Sequence, residues 1–544
     1  MRIALAQLNY HIGNFEGNLQ KMLSAVEEAK KQGADMVCFG ELATCGYPPR
    51  DFLEFRDFIR RAQESVDTLA KVAHDIAIIV GSPAVNPRIE GKDLHNSAFV
   101  LVDGKIIHQA KKTLLPTYDI FDEDRYFEPA EEFHTFIYKG KRIALTICED
   151  LWNIGNENPL YTICPMDEML PEQPDLMINI SASPFSYTHS QERVDVIREN
   201  ALRYKLPIFY VNNVGAQTEI IFDGGSMAIS PTGHVVELPY FREMVQVFEL
   251  DEISQHSKDI LQPKEKLKLI YEAISLGIKD YFGKLGFKKA ILGLSGGIDS
   301  ALTAVLAAHA LGEENVRVVL MPSEYSSQHS IDDAITLAKN LGLQYDIVPI
   351  EETYQAFKET LKPIFADLPF DVTEENIQAR CRGIILMAMS NKFGHILLNT
   401  SNKSEAAVGY GTLYGDMAGG LSVIGDLYKT EVFALSRYIN RDKEIIPHNT
   451  IVKPPSAELR PNQKDSDSLP DYESLDVILY EYIEKELGPR EIIDMGYDEA
   501  LVNRILRLVN INEFKRFQTP PVLRVSSKAF GMGRRMPIVG KYLS

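Results

Sequence analysis

At 544 residues the chain exceeds what one hydrophobic core supports, since single cores stop growing near about 250–300 residues, so two domains are expected. Its composition, 45% hydrophobic and 24% charged, is that of an ordinary soluble globular protein. Its 57 Lys and Arg against 76 Asp and Glu give a formal charge of −19, which argues against a general nucleic-acid or anionic-membrane partner but leaves room for a local basic pocket.

The opening MRIALAQLNY reads as a strand, not as a basic segment followed by an apolar one, so no secretory signal is expected. No run of about 18 apolar residues is present, so no transmembrane helix is expected. The cysteines are Cys38, Cys45, Cys148, Cys164 and Cys381; none forms a C-x-x-C pair, and an odd number without a signal suggests reduced thiols and a cytoplasmic address.

Residues 1–250 alternate strand-like and helix-like pieces. A strand at Arg2–Asn9 precedes a helix at Asn18–Gln32, where Leu19, Met22, Leu23, Val26 and Ala29 recur at helical spacing. A buried strand at Asp35–Phe39 ends at Glu41. Further apolar runs fall at Ile76–Val80, Ser97–Val102, Arg142–Ile147, Leu176–Ile180, Ile208–Val211 and Ser226–Ile229, with hairpins near Gly104 and Gly233. This is an α/β layered domain.

Within it, Cys148 follows the strand Arg142–Ile147 directly, in TICEDLW. A thiol there points into a loop-built site, and as a nucleophile it needs a base or a cation nearby, because a free cysteine ionises near pH ~8.5. Glu41, in CFGELATCGYPPRD, can take the thiol proton; Lys112, in KKTLLPTYDIFDEDRYF, can support a thiolate and an oxyanion. Taken singly, these residues read as a core cysteine and two surface charges. Together the three segments resemble the nitrilase superfamily of carbon–nitrogen hydrolases, whose Glu-Lys-Cys triad comes in this order. The family lysine precedes a Leu-Pro pair, here Leu115-Pro116, which selects Lys112 over Lys111. The resemblance spans residues 1–250 and implies an α-β-β-α sandwich. Tyr118 and Ser183 resemble glutamine-binding positions of its glutaminase members. Six residues after that serine the family usually has Lys or Arg, and this chain has His189, with Arg193 a weaker candidate to hold the glutamine carboxylate. Other glutaminase types fit badly: residue 2 is Arg rather than Cys, and no cysteine lies in G-x-C-x-G.

The polar stretch Ser254–Lys268, with Pro263, reads as a boundary, which places the linker at 251–266 and a second domain at 267–544. An amphipathic helix starts at Leu267. Strands follow at Ala290–Leu294, Arg317–Leu320, Gln344–Val348 and His395–Leu398, separated by helices such as Ser330–Leu341 and Ala379–Lys392. That order makes a doubly wound, Rossmann-like parallel sheet, which binds ligands beyond the C-terminal ends of its strands. Lys453–Tyr472, polar and Pro-containing, is expected as a mobile loop whose composition would allow a lid.

The first of these strands runs into AILGLSGGIDSALTAVLAA, which has the outline of a phosphate loop but carries Asp299 where a Walker A loop carries Lys. Ser295, Gly296 and Gly297 place backbone N–H groups at a helix N-terminus, where an anion is favoured. Asp299 is free to bind a hard cation such as magnesium. Such a loop suits a pyrophosphate leaving group better than γ-phosphoryl transfer. S-G-G alone makes a tight turn, but S-G-G-x-D-S between an apolar strand and an apolar helix resembles the ATP pyrophosphatase superfamily. That resemblance implies an ATP site over Gly293, Leu294, Ser295, Gly296, Gly297, Ile298, Asp299 and Ser300, and an adenylate intermediate.

A second segment, LLNTSNKSEAAVGYGTLYGDMAGGLSVIGDLYKTEVFAL, resembles the NAD synthetase family. The resemblance implies ATP contacts at Thr400, Lys429 and Ser456; magnesium at Asp299 and Glu405; and deamido-NAD contacts at Asn376, Glu405, Asp416 and Lys515. Joined to the nitrilase-like half, it implies amidation of deamido-NAD with ammonia from glutamine, ATP leaving as AMP and pyrophosphate. It further implies an ammonia tunnel and homo-oligomers built on the second half. Two alternatives stand beside it: the same two-domain amidoligase acting on another carboxylate, and a nitrilase-type amidase whose second half only senses nucleotide.

Overall fold

Alternate residues of the first strand face two different cores. In β1 (Arg2–Gln7), Ile3 and Leu5 point into one apolar layer and Ala4 and Ala6 into another, as the two-residue period of a strand requires. The computed structural model describes residues 1–154, 160–461, 463–467 and 469–543, and the chain divides into Met1–Glu265 and Lys266–Ser544.

The first unit runs β1, α1 (Phe15–Lys31), β2 (Met36–Phe39), α2 (Arg56–Val72), β3 (Ala77–Val85), β4 (Leu94–Val102), β5 (Lys105–Lys111), β6 (Phe136–Tyr138), β7 (Lys141–Ile147), α3 (Pro165–Met169), β8 (Leu176–Ser181) and α4 (His189–Tyr204). It continues with β9 (Ile208–Asn212), β10 (Val214–Gln217), β11 (Ile220–Asp223), β12 (Met227–Ile229), β13 (Val235–Glu237), β14 (Met244–Glu249) and α5 (Leu250–Ser254). One six-stranded sheet has the order β14-β1-β2-β3-β4-β5 and the other β13-β12-β9-β8-β7-β6. Ile3, Leu5, Cys38, Ile79 and Val100 of the first meet Leu145, Ile147, Ile178, Ile180 and Val211 of the second in a shared core. Helices α1 and α2 cover the outer face of the first sheet through Met22, Val26, Val66 and Leu69. Helices α3 and α4 cover the second through Met166, Val194 and Ile197. The result is the expected α-β-β-α sandwich. The hairpin β4–β5 turns at Asp103-Gly104, both with positive φ (47° and 78°).

Segment 251–266, expected as a linker, follows the first unit as far as Lys264. Leu250 and Ile253 join its core, and the Gln262 amide and Lys264 Nζ donate to Glu237 at 2.9 and 3.0 Å.

The second unit opens with α6 (Lys266–Leu285). It continues through β15 (Ala290–Gly293), α7 (Ile298–Leu311), β16 (Val316–Leu320), α8 (Gln328–Asn340), β17 (Gln344–Ile347), α9 (Glu351–Phe365), α10 (Val372–Phe393) and β18 (Ile396–Asn399). All strands are parallel, in the order β17-β16-β15-β18-β19, the last being Leu421–Ser422. Leu386 and Met389 of α10 pack on Ile291, Val319 and Leu397 of the sheet. Helix α10 starts seven residues before the helix expected from Ala379, because Asp371 and Glu374 form a capping box ahead of it. Beyond β18 come α11 (Lys403–Val408), α12 (Lys429–Ile439), α13 (His448–Val452), α14 (Tyr472–Ile483), α15 (Pro489–Asp494), α16 (Glu499–Ile511) and α17 (Glu513–Arg516). Helices α11, α14 and α16 share a core of Val408, Leu475, Leu479, Val502, Leu506 and Val509. Within the expected Lys453–Tyr472 loop, Asn462 and Ser468 lie outside the described residues. Among the described residues no helix is long and apolar enough to cross a membrane.

Candidate functional sites

In the first unit, three strand ends bring Glu41, Lys112 and Cys148 together. Glu41 follows β2, Lys112 follows β5, and Cys148 follows β7. Lys112 Nζ donates to Glu41 Oε1 at 2.8 Å, with neither side chain exposed to solvent. Asn96 Nδ2 donates to the same oxygen at 2.7 Å, and the Ala182 amide donates to Glu41 Oε2 at 3.0 Å. Cys148 opens a 3₁₀ turn with φ 45°, a strained value for a residue with a Cβ, and it is buried. Burial and the Glu41 carboxylate push its thiol well up, while Lys112 pulls the other way. Burial also opposes the charge on Lys112, but Glu123 and Glu41 outweigh it and hold the ammonium firmly.

Glu123 is the group that sequence reasoning missed. It accepts from Lys112 Nζ at 2.8 Å and from the Tyr47 hydroxyl at 2.8 Å. It lies in DEDR among other acids, and nothing in that string marks it as buried. Asp150 was also missed. It accepts from the amides of Thr113, Leu114 and Ile147, each at 3.0 Å, and so ties the lysine segment to the cysteine segment. Burial raises its carboxyl to about 6 despite these bonds.

Tyr118 donates to Glu149 at 2.9 Å, and Tyr161 donates to the same oxygen at 3.1 Å. The Ser183 hydroxyl is 3.1 Å from His189 Nε2, and the His189 ring stacks on Trp152 at 5.0 Å and 7°. Arg193, the weaker candidate for the glutamine carboxylate, is fully buried and bound at both NH2 groups to Asp223 at 2.8 and 2.9 Å.

In the second unit, the loop after β15 packs tightly. Gly296 has φ 81°, and a Cβ there would stand 2.1 Å from the Ser330 carbonyl, so only glycine fits. Ser295 and Ser300 hydroxyls lie 3.1 Å apart, and Gly297 caps α7. A cavity of about 260 Å³ opens beside the strand ends. Gly293, Leu294, Ser295, Ser300, Thr400 and Asp416 line it among the expected residues. Asp416 accepts from the Thr412 amide at 2.6 Å, and the Thr412 hydroxyl donates to Asn376 at 2.7 Å, which links the two expected dinucleotide residues. Lys515 Nζ donates to the carbonyls of Gly409 and Gly411 at 2.8 and 3.0 Å. Ser456 does not line the cavity; its hydroxyl donates to the Gln463 carbonyl at 2.6 Å within its own loop.

Asp299 accepts from Asn402 at 2.8 Å and from Lys429 Nζ at 2.5 Å, and the same Nζ is 3.4 Å from Glu405. Lys429 is thus engaged by the two carboxylates expected at magnesium. Burial, then the charge of Asp299, raises the Glu405 carboxyl to about 8, and burial raises the nearby Asp465 as well. Among the described residues no three His, Cys, Asp or Glu side chains are arranged to hold a metal ion. A repelling pair of oxygen ligands nevertheless fits magnesium, which takes one or two carboxylates and completes its shell with water and phosphate oxygens.

A carbon–nitrogen hydrolase family model matches residues 2–255, and an NAD synthase family model matches residues 270–519. A relative from Synechocystis sp., named glutamine-dependent NAD(+) synthetase, is 47% identical over 98% of each chain. The chain belongs to the glutamine-dependent NAD(+) synthetase family. Another member, from Thermotoga maritima, is 41% identical over 100% of this chain and 99% of its own. The solved synthetase of this family from Acinetobacter baumannii, in complex with ADP, superposes with a TM-score of 0.78 at 39% identity, covering 99% of this chain and 98% of that one.

Proposed function

We propose that the protein makes NAD from deamido-NAD, ATP and glutamine, releasing AMP, pyrophosphate and glutamate. The observation that carries this reading is the pairing, in one chain of this family, of a buried Glu-Lys-Cys cluster with a glycine loop that carries Asp299 in place of a lysine.

In the first unit, Glu41 takes the Cys148 proton as the thiol attacks the side-chain amide of glutamine. Lys112, held by Glu41 and Glu123, faces the developing oxyanion. The amide nitrogen leaves as ammonia, and water then hydrolyses the thioester. Tyr118, Ser183 and His189 hold the rest of the glutamine. In the second unit, the nicotinate carboxylate attacks the α-phosphorus of ATP, pyrophosphate leaves against Ser295–Ser300, and ammonia displaces AMP from the adenylate. Thr400 serves ATP from the cavity wall and Lys429 through Asp299 and Glu405, the carboxylates it bonds, while Ser456 stays in its own loop outside the cavity; Asn376, Glu405, Asp416 and Lys515 serve deamido-NAD. Asp299 and Glu405 would hold magnesium, which neutralises phosphate charge when bound. The reading includes a cytoplasmic address and homo-oligomers through the second unit; light scattering on the purified chain tests the latter.

The deciding experiment compares wild type with Cys148→Ala, supplying glutamine or ammonium. The variant is expected to lose glutamine-driven NAD formation and to keep the ammonium-driven reaction. Continued use of glutamine would remove Cys148 from the mechanism. No NAD from either nitrogen source in wild type would point to another carboxylate.

A further inference from the structure

The cavity beside the strand ends of the second unit has one cation in its lining among the described residues. Its charged residues are Arg382, Asp416 and Glu458. Arg382 stands on α10 on the same face as Ala379, Gly383 and Leu386, which also line the cavity. Its Nε donates to the Met321 carbonyl at 3.0 Å. Among the described residues its two terminal NH2 groups have no hydrogen-bond partner, and no carboxylate reaches ion-pair distance of it. Arg382 is half-buried, and a guanidinium keeps its proton throughout the usable pH range, so one that lines a cavity with both NH2 groups unpaired is placed to take an anion there. Partial burial pulls Arg382 down to about 10, against the opposing influence of Asp416, Cys381 and Glu458.

The neighbouring cation cannot serve in its place, because Lys429 is already shared by Asp299 and Glu405. The loop at Ser295–Ser300 offers amides and hydroxyls, which suit the departing pyrophosphate. That leaves the phosphate that stays with AMP. We propose that Arg382 pairs with the α-phosphate of ATP, and of the adenylate formed from it, inside this cavity. The inference rests on the ATP-dependent reading above. Two NH2 groups in one plane match two phosphate oxygens, which a lysine cannot reproduce.

The test is calorimetric titration of AMP and of adenosine into the full chain, as wild type, Arg382→Gln and Arg382→Lys. AMP carries the α-phosphate, and adenosine carries only the base and sugar. Arg382→Gln is expected to weaken AMP by about ten- to a hundred-fold and adenosine by less than about twofold, with Arg382→Lys in between for AMP. Equal losses for AMP and adenosine would make Arg382 a base or sugar contact and overturn the proposal, as would unchanged AMP binding. If Arg382→Gln does not fold, the charge-keeping Lys variant still decides, since only a phosphate contact makes it lose AMP selectively. A wild type that binds neither AMP nor ATP would instead sink the ATP-dependent reading, a result distinct from a selective loss in the variants.

Discussion

Lys112 Nζ and Glu123 Oε1 lie 2.8 Å apart, the ammonium unexposed and the carboxylate 5% exposed. With Glu41 at the same distance, one buried cation serves two carboxylates. Burial raises Glu123 above the usual carboxylate range, so its charge is held by Lys112 and by the Tyr47 hydroxyl. Glu123→Gln keeps the shape and removes the charge. It is expected to lower glutamine-driven NAD formation about 10²- to 10³-fold and to leave the ammonium-driven rate unchanged. A glutamine rate within about twofold of wild type would make Glu123 a packing residue.

Arg193 tests what a fully enclosed ion pair contributes. Its guanidinium and the Asp223 carboxylate have no solvent exposure and bond at both oxygens. Arg193→Ala leaves the Asp223 carboxylate buried without a counter-ion, with the Ser190 hydroxyl at 2.9 Å still donating to it. A loss of about 3–5 kcal/mol in unfolding free energy is expected. Denaturant unfolding of wild type and variant measures it, and a loss below about 1 kcal/mol would refute it.

Much of this was legible in the sequence, because strand ends carry the chemistry and strands announce themselves. Cys148, Glu41 and Thr400 each follow an apolar run, and the loop at Ser295–Ser300 follows another. Glu123, Asp150 and Arg382 were not legible. Each sits beside another charged residue (Asp122 and Asp124, Glu149, and Arg380 close to Arg382), and nothing in the string tells which of them the packing turns to the site. The start of α10 was readable in the Asp371–Glu374 spacing but hidden by the polar residues that follow. Arg193 shows the reverse error: its position suggested a substrate contact, yet its face of α4 turns inward to Asp223.

Glu405 makes stability depend on pH. Its carboxyl sits near 8 in the fold against an ordinary value of 4.5, so between these values the folded chain holds a proton that the unfolded chain has released. Stability from this group therefore falls as pH rises from about 4.5 to about 8 and then levels off. Glu405→Gln removes the ionisation. The variant is expected to lose less melting temperature than wild type between about pH 6 and 8.5, by at least about 2 °C. Magnesium should raise the wild-type melting temperature at about pH 8 and raise that of Glu405→Gln less. Parallel pH curves for the two proteins would show that the charge of Glu405 is already balanced by Lys429.

His189 comes with its own reporter. The chain has one tryptophan, and its ring lies flat on the His189 imidazole at 5.0 Å, while the Ser183 hydroxyl stands 3.1 Å from His189 Nε2. Because indole emission responds to a stacked imidazole, a ligand that engages His189 must alter it. Glutamine added to Cys148→Ala, which cannot turn it over, is expected to change Trp152 emission in a saturable way. Adding His189→Ala should abolish that change. In the otherwise wild-type protein, His189→Ala should raise the KM for glutamine about tenfold or more, as loss of a charge-assisted hydrogen bond does, and leave the ammonium-driven kcat unchanged. A normal glutamine KM in that variant would mean that the carboxylate is held elsewhere. Arg193 could not be the substitute, since Asp223 already occupies both of its NH2 groups.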